Sequence, residues 1–525
     1  MYCFIKYTDT MKNKVFIAVA LISTALSFAQ ISSTQVDDLV DRTIKTFNVP
    51  GIAVAIVKDG KVVYAKGYGV QSILTNEKVD ANTLFGIASN SKAFTSAALA
   101  MLNDEGKVKW DDKVIKYLPN FKMYNEYVTN EFTIRDLLTH RSGLGLGAGD
   151  LMIWPDGSNF NAQDIIQNLQ YLKPVSAFRT QYDYDNLLYI VAGEVIRVAS
   201  GLSWCDFIEK RMMKPLEMNH SAASFLRLKD TTNIIAPHVP IDGKLKVIKR
   251  YQNQLFDAAA GIYSSVNDLS KWTIMQMNNG QYGADNKQLF SKKEHAEMWQ
   301  LQTIIPAVTR PPYNTHFSGY GLGWFLSDVK GYKQVTHTGG LEGIVTQVTL
   351  LPELNLGIIV LTNQQSGAAF RAITNTIKDS YLGILSEDYV TNYSVSLKEN
   401  EASADKVTDA VWATVAQHKK DKIKIDFKSF IGTYKDNWFG EVVLSEQNGR
   451  LYFVSKRSPQ LKGEVFFYKD TTYVVQWDNA YFHADAHLFF ECDATGKAVR
   501  LTMKPISELT DFSYDFQDLD FTKVP

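Results

Sequence analysis

Two stretches that read as β-hairpins, residues 51–70 and 343–363, stand near opposite ends of the first 385 residues, and that separation limits the fold more than any other feature. The first, GIAVAIVKDGKVVYAKGYGV, places two β-rich runs around Lys58-Asp59-Gly60-Lys61, a hairpin with an Asp-Gly turn. The second, GIVTQVTLLPELNLGIIVLTN, reads as two strands about Pro352-Glu353-Leu354-Asn355. Helical text lies between them. Residues 89–102, SNSKAFTSAALAML, are rich in Ala and Leu without Gly or Pro, which predicts a helix beginning near Ser89. A second helix fits Leu187 to Ser200 and is stopped by Gly201. A strand pair at each end with helices between predicts one antiparallel sheet assembled from both ends of a single domain.

The texture changes after about residue 384. Residues 398–422 are charged and helical in pattern, and read as a connector. From Phe430 onward, short aromatic and β-branched runs are split by turns at Asn448-Gly449, Ser458-Pro459, Trp477-Asp478-Asn479 and Ala494-Thr495-Gly496. Such spacing predicts a small antiparallel barrel or sandwich. At the other end, Lys12 and Lys14 precede an apolar run from Val15 to Leu26 and then Ser27-Phe28-Ala29. That order is expected of an export signal cleaved before Gln30, with an uncleaved anchor as the alternative; the ten residues before Met11 add nothing to it, so Met11 is an alternative start. The expected layout is a signal peptide over 1–29, a main domain over 34–385, a charged helical linker over 386–425 and a β-rich domain over 426–525. The mature chain is expected in the periplasm or outside the cell, with no membrane partner.

Composition removes several classes. With 45% hydrophobic and 21% charged residues the chain is globular, and 55 basic against 56 acidic residues leave no footprint for nucleic acid. Cys3, Cys205 and Cys492 are too few and too scattered for a disulfide framework or a metal site.

Three short patterns carry chemistry. Ser89-Asn90-Ser91-Lys92 is an S-x-x-K at a helix start, which puts Ser89 and Lys92 one turn apart on one face. A serine hydroxyl needs an adjacent base, and a lysine serves if burial lowers its pKa. The helix start favours developing negative charge, and the Ser89 backbone N–H is placed to help hold an oxyanion. Tyr184-Asp185-Asn186 is a Y-x-N before the second helix: a phenol of lowered pKa relays protons and an amide orients a lysine or substrate, with Tyr182 a rival to Tyr184. His337-Thr338-Gly339-Gly340 precedes a strand; its glycines admit a substrate backbone, and the Gly340 N–H is a second oxyanion donor. Taken singly, each pattern also reads as a cap or turn.

Their order, S-x-x-K then Y-x-N then [KH]-T-G, resembles the signature of the serine β-lactamase and penicillin-binding-protein superfamily, in its class C-like branch of esterases, D-aminopeptidases and D,D-peptidases. Leu137-Leu138-Thr139-His140-Arg141-Ser142-Gly143-Leu144, Ala259-Ala260-Gly261-Ile262-Tyr263-Ser264 and Tyr320-Gly321-Leu322-Gly323-Trp324 share the likeness. The tail resembles a β-rich domain found after such hydrolases, at Tyr434, Trp438-Phe439-Gly440, Leu509-Thr510-Asp511-Phe512 and Asp518-Leu519. The resemblance implies an α/β fold, an antiparallel sheet flanked by helices plus an all-helical lobe. It makes Ser89 the acylated nucleophile, Lys92 its proton acceptor and Tyr184 the shuttle to the leaving group and the base for deacylating water. Ser89 and Gly340 would form the oxyanion hole; Asn186, His337, Thr338 and Gly339 would bind substrate, with His337 shaping the pocket beside Tyr184.

The third motif departs from the lysine that β-lactamases and many D,D-peptidases carry. A histidine of ordinary pKa is mostly neutral at pH 7, a poor match for a substrate carboxylate. Esters and small D-amino-acid amides or peptides are therefore the expected substrates, with β-lactams turned over weakly or not at all. The alternatives are a cell-wall D,D-peptidase or true β-lactamase, and a catalytically silent protein that binds peptidoglycan fragments or a peptide. No cofactor is expected. His483-Ala484-Asp485-Ala486-His487 would put three polar side chains on one face of a strand, but without a supporting shell no metal site is assigned. The run Gly143, Gly145, Gly147, Gly149 misses the phosphate-binding patterns and reads as a mobile loop near the site. Loops around 145–180 and 225–255 are expected to line the pocket. The oligomeric state is left open.

Overall fold

A computed structural model of the chain describes residues 30–385, 387–423 and 427–525. The expected signal segment and Cys3 lie outside the described residues.

The hairpins meet in one sheet, as their separation predicts. Strand β1 (Gly51–Lys58) and β2 (Lys61–Gly69) form the first hairpin, with Asp59 and Gly60 at positive φ in its turn. The remaining strands are β3 (Thr303–Ile305), β4 (Ser318–Tyr320), β5 (Phe325–Val329), β6 (Tyr332–Leu341), β7 (Ile344–Leu351) and β8 (Leu356–Thr362). The order across the sheet is β2-β1-β8-β7-β6-β5-β4-β3 and every neighbour is antiparallel. β1 closes on β8, with Ile52 opposite Thr362.

β1 and β8 are central strands covered on both faces, and so read as unbroken apolar runs. Their alternate residues serve two different cores. Ile52, Val54, Ile56, Ile358 and Val360 face an outer layer of α1 (Ser33–Phe47) and, later in the chain, the helix Gly367–Leu382. Ala53, Ala55, Ile359 and Leu361 face the main core. There α2 (Ser91–Asp104) is buried along almost its whole length, α3 (Leu187–Ser200) ends at Gly201 in the left-handed conformation, and α4 (Val266–Met277) stacks Trp272 on Phe94 at 3.8 Å. We number Gly367–Leu382 as α5.

The connector is one long, largely exposed helix, α6 (Tyr389–Lys420), anchored at both ends. Tyr389 and Val390 join the outer layer, while Val411 and Val415 pack on Phe466, Val474 and Ile506 of the tail. The tail is a closed eight-stranded antiparallel barrel: β9 (Gly432–Asp436), β10 (Gly440–Gln447), β11 (Arg450–Ser455), β12 (Lys462–Lys469), β13 (Thr472–Trp477), β14 (Ala486–Cys492), β15 (Ala498–Pro505) and β16 (Asp520–Lys523). Closure removes the free edges that a sandwich would leave.

The barrel is docked on the main domain. Arg457 pairs with Asp164 at 2.7 Å, Asn168 donates to the Trp438 carbonyl at 2.8 Å, and His483 meets the Pro240 carbonyl at 2.9 Å. His483 lies in a turn at positive φ and only Ala486 and His487 of that stretch belong to β14, so the three polar residues do not share a strand face. Among the described residues no group of His, Cys, Asp and Glu is arranged to hold a metal ion.

Candidate active site

Ser89 lies in a 3-10 turn, Ala88–Asn90, immediately before α2 rather than in the helix itself. Ala88 has a φ of +48°, and the turn is tied from the sheet: Asn90 Nδ2 donates to Thr346 Oγ1 at 2.9 Å, and Thr346 Oγ1 donates to the Ile87 carbonyl at 3.0 Å. Thr346 sits on β7, so the sheet holds the serine-bearing turn in place.

One turn on, Lys92 is buried completely. Its Nζ lies 3.0 Å from Ser89 Oγ, 2.8 Å from Asn186 Oδ1 and 3.2 Å from the Ala259 carbonyl, and it stands over the rings of Tyr184 and Tyr189. Burial brings its pKa from 10.5 down to about 7, against the pull of Asp150 and Asp185. A lysine in that range is substantially a neutral amine near neutral pH, able to take a proton from the hydroxyl beside it.

Asn186 immediately precedes α3, and its side chain faces two ways: its Oδ1 accepts from Lys92, and its Nδ2 donates to Asp150 Oδ2 at 2.7 Å. Burial pushes the Tyr184 phenol well above its ordinary value, opposed by the interaction with Ser89. Its surroundings therefore raise the phenol pKa instead of lowering it, and Tyr184 rests as a protonated phenol. Tyr182, its rival, is also pushed up by burial and packs on Tyr320 and Phe325.

β6 brings the third motif alongside. From His337 to Leu341 the strand pairs with β7 alone, because β5 pairs only as far as Thr336. That leaves the other edge of β6 open, with Thr338 and Gly340 exposed. Gly339 lies against the serine turn: a Cβ there would come within 2.2 Å of the Ile87 carbonyl and 2.6 Å of Thr346 Oγ1. At Gly340 a Cβ would meet nothing within 4 Å. The two glycines thus differ: one permits close packing, the other borders open space.

His337 is buried with its tautomer determined by its partners. Nδ1 faces the Thr338 carbonyl at 2.6 Å and must donate, so Nε2 accepts from the Tyr320 hydroxyl at 2.9 Å. Burial, then the nearby Lys92 charge, lowers its pKa to about 3. Neutrality at pH 7 is therefore stronger than an ordinary histidine implies. Since His337 stays neutral throughout, we expect His337→Asn to leave the acid limb of a pH–rate profile at its parent position while lowering kcat/KM; a limb displaced by more than about half a unit would assign the limb to His337 instead of Lys92.

The supporting stretches become the shell of Lys92. The Ala259 carbonyl accepts a hydrogen bond from its Nζ; Gly323 leaves room where a Cβ would strike Ser96 and the Lys92 carbonyl; Tyr320 fixes His337. His140, at positive φ, packs at a tilt against Tyr184 with ring centroids 4.2 Å apart and accepts from the Asp185 backbone at 3.0 Å. Two buried carboxyls were not singled out from the pattern. Asp185, inside the Y-x-N, is pushed up to about 7 by burial; Asp150, ending the glycine run, is pushed well up by burial. The first was signalled only by its place between Tyr184 and Asn186. The glycine run itself is tied rather than loose, since Gly147 N–H donates to the Tyr184 carbonyl at 2.8 Å.

The tail reaches this site through the loop between β15 and β16. Phe512 packs edge-on to Tyr184 at 5.8 Å, and Ser513 Oγ donates to Asp150 Oδ2 at 2.8 Å. Tyr514 donates to Glu342, just past β6, at 3.4 Å. No sequence pattern announced that contact.

The family model described as "Beta-lactamase" matches residues 36–382, and one described as "Domain of unknown function (DUF3471)" matches residues 417–523. The chain is 26% identical over 440 residues to the unguisins hydrolase ungD of Aspergillus violaceofuscus, across 78% of this chain and 76% of that protein. It shares its fold with the octameric penicillin-binding protein homologue from Pyrococcus abyssi, at a TM-score of 0.59, 21% identity, and coverage of 94% of this chain and 100% of that one. A class C beta-lactamase matches at a TM-score of 0.54 and 22% identity over 67% of this chain and 96% of its own.

Proposed function

The chain belongs to the beta-lactamase family, and we propose that it is an exported serine hydrolase that works through an acyl-enzyme on esters or small D-amino-acid amides and peptides. The observation that carries this reading is Lys92 Nζ, fully buried and 3.0 Å from Ser89 Oγ, with its pKa near 7.

In the proposed cycle neutral Lys92 takes the Ser89 proton as Oγ bonds to the substrate carbonyl carbon. The resulting oxyanion is held by the backbone N–H groups of Ser89 and Gly340. The tetrahedral species collapses as Tyr184 protonates the leaving group, and Lys92 returns a proton to Tyr184. Water then enters by the reverse route. Because Tyr184 rests as a phenol, the base for water is the Lys92–Tyr184 pair acting together.

Two features bear on the substrate. A neutral His337 offers no charge to a substrate carboxylate. Beyond the end of β6, Glu342 is raised to about 8 by burial and by the neighbouring charges of Asp156 and Asp511. An ammonium group brought beside these carboxyls would favour the charged form of Glu342, whereas a carboxylate would be repelled, so a substrate with a free amine is preferred over one with a carboxylate. A relative named as a hydrolase of unguisins supports a hydrolytic reaction. Export rests on the N-terminal pattern; among the described residues no single helix is long and apolar enough to cross a membrane.

The test is a panel on the purified chain: chromogenic short-chain esters, D-amino-acid anilides with free and acetylated amines, and a chromogenic cephalosporin. We expect turnover of esters and free-amine anilides, with the cephalosporin slowest and Ser89→Ala inert throughout. Efficient cephalosporin turnover without esterase or amidase activity would establish the β-lactamase alternative. Failure of every phosphonate or penicillin probe to label Ser89 would establish the silent binding protein.

A further inference from the structure

We infer that the C-terminal barrel supplies two positioning residues, Ser513 and Asp515, that hold the Asn186 amide against Lys92 by way of Asp150. The inference rests on the reading of Ser89 and Lys92 as nucleophile and base, and gives the barrel a part in it.

A continuous series of hydrogen bonds runs from the barrel loop to the amine. Ser513 Oγ donates to Asp150 Oδ2 at 2.8 Å, and Asn186 Nδ2 donates to the same oxygen at 2.7 Å. Asn186 Oδ1 then accepts from Lys92 Nζ at 2.8 Å, and Lys92 reaches Ser89. An asparagine amide presents oxygen on one side and NH2 on the other, so an acceptor behind the nitrogen decides that oxygen faces the lysine. Asp150 is that acceptor, and its own position decides where Lys92 Nζ rests.

Asp150 is held by the barrel twice. The side-chain bond from Ser513 is one hold. The other is Asp515, whose Oδ2 accepts from Gly149 N at 2.6 Å and whose Oδ1 accepts from Leu151 N at 3.0 Å. Those N–H groups flank Asp150, so one carboxyl from the barrel clamps the backbone on both sides of it. Asp150, Ser513 and Asp515 are all buried, and the other Asp150 oxygen has no hydrogen-bond partner among the described residues. The approach is close: a Cβ on Gly147 would fall 2.6 Å from the Phe512 carbonyl. Were these contacts mere adhesive, the Arg457–Asp164 pair would serve the same end, and the hydrogen bonds of Arg457 go to Asn159 and Asp164, not to Asp150.

The full chain and its variants would be labelled with a fluorophosphonate and the rate of Ser89 acylation measured alongside thermal unfolding. We expect Ser513→Ala to slow acylation on the order of tenfold, since small misplacements of a base are costly, with unfolding nearly unchanged. Ser513→Thr keeps the hydroxyl and should restore most of the rate. Asp515→Asn replaces one accepting oxygen by NH2 and should slow acylation at least as much. Arg457→Ala should label at the parent rate. If Asp515→Asn does not fold, the serine pair alone decides the matter. Parent-rate labelling of Ser513→Ala, or equal slowing in Arg457→Ala, overturns the positioning role and leaves the hydrolase reading standing. Absence of labelling in the parent chain overturns both.

Discussion

Lys92→Ala is expected to cut Ser89 acylation by about 10³-fold or more while the fold persists, because general-base assistance is typically worth 10²–10⁴-fold and, among the described residues, Lys92 is the amine hydrogen-bonded to the hydroxyl. The pH dependence identifies the group. Acylation requires the neutral amine, so the parent rate should rise with pH through about 7 and level off above it. The same shift has a sign for stability. The folded-state pKa lies below the ordinary 10.5, so between about 7 and 10.5 the unfolded chain binds more protons than the folded one. Stability conferred by this group therefore rises with pH across that window. Lys92→Met keeps the bulk, removes the buried amine and should be at least as stable as the parent at pH 7, while equally inactive. Near-parent turnover in either variant would assign the base elsewhere; a fluorophosphonate rate and a thermal melt suffice to decide.

Gly339→Ala is expected to abolish measurable acylation and lower stability, whereas Gly340→Ala leaves both within a few-fold of the parent. At Gly339 the added carbon would stand 2.2 Å from the Ile87 carbonyl and 3.0 Å from the Ala88 Cβ, so β6 must withdraw from the turn that carries Ser89. Overpacking of this kind costs about 1–3 kcal/mol in a buried site, and the displaced strand takes the oxyanion donor with it. At Gly340 the added methyl meets open space and the backbone N–H is retained. A thermal melt and the acylation rate of both variants make the comparison. The reverse ranking would mean that Gly340, not Gly339, is the point of close approach.

The contrast between those glycines shows where pattern reading stops. His337-Thr338-Gly339-Gly340 reads as preceding a strand, whereas it lies within β6, and both glycines look alike until the Ile87 carbonyl is placed beside one of them. Nothing in the Tyr184-Asp185-Asn186 pattern indicates that burial beside His140 and Tyr320, which come from distant segments, raises the Tyr184 phenol instead of lowering it.

The features carried by neighbouring residues were legible from the chain alone: the Asp59-Gly60 hairpin, the helix stopped at Gly201, the one-turn spacing of Ser89 and Lys92, and the barrel's succession of short strands. Each depends on backbone preference or on a period of two or 3.6 residues, which act within a few positions. The lysine's lowered pKa, the neutral tautomer of His337 and the entry of Ser513 and Asp515 beside Asp150 depend on desolvation and hydrogen bonding between groups as far apart as Asp150 and Ser513. Such terms exist only once the chain has closed on itself, since water satisfies the same groups until folding removes it.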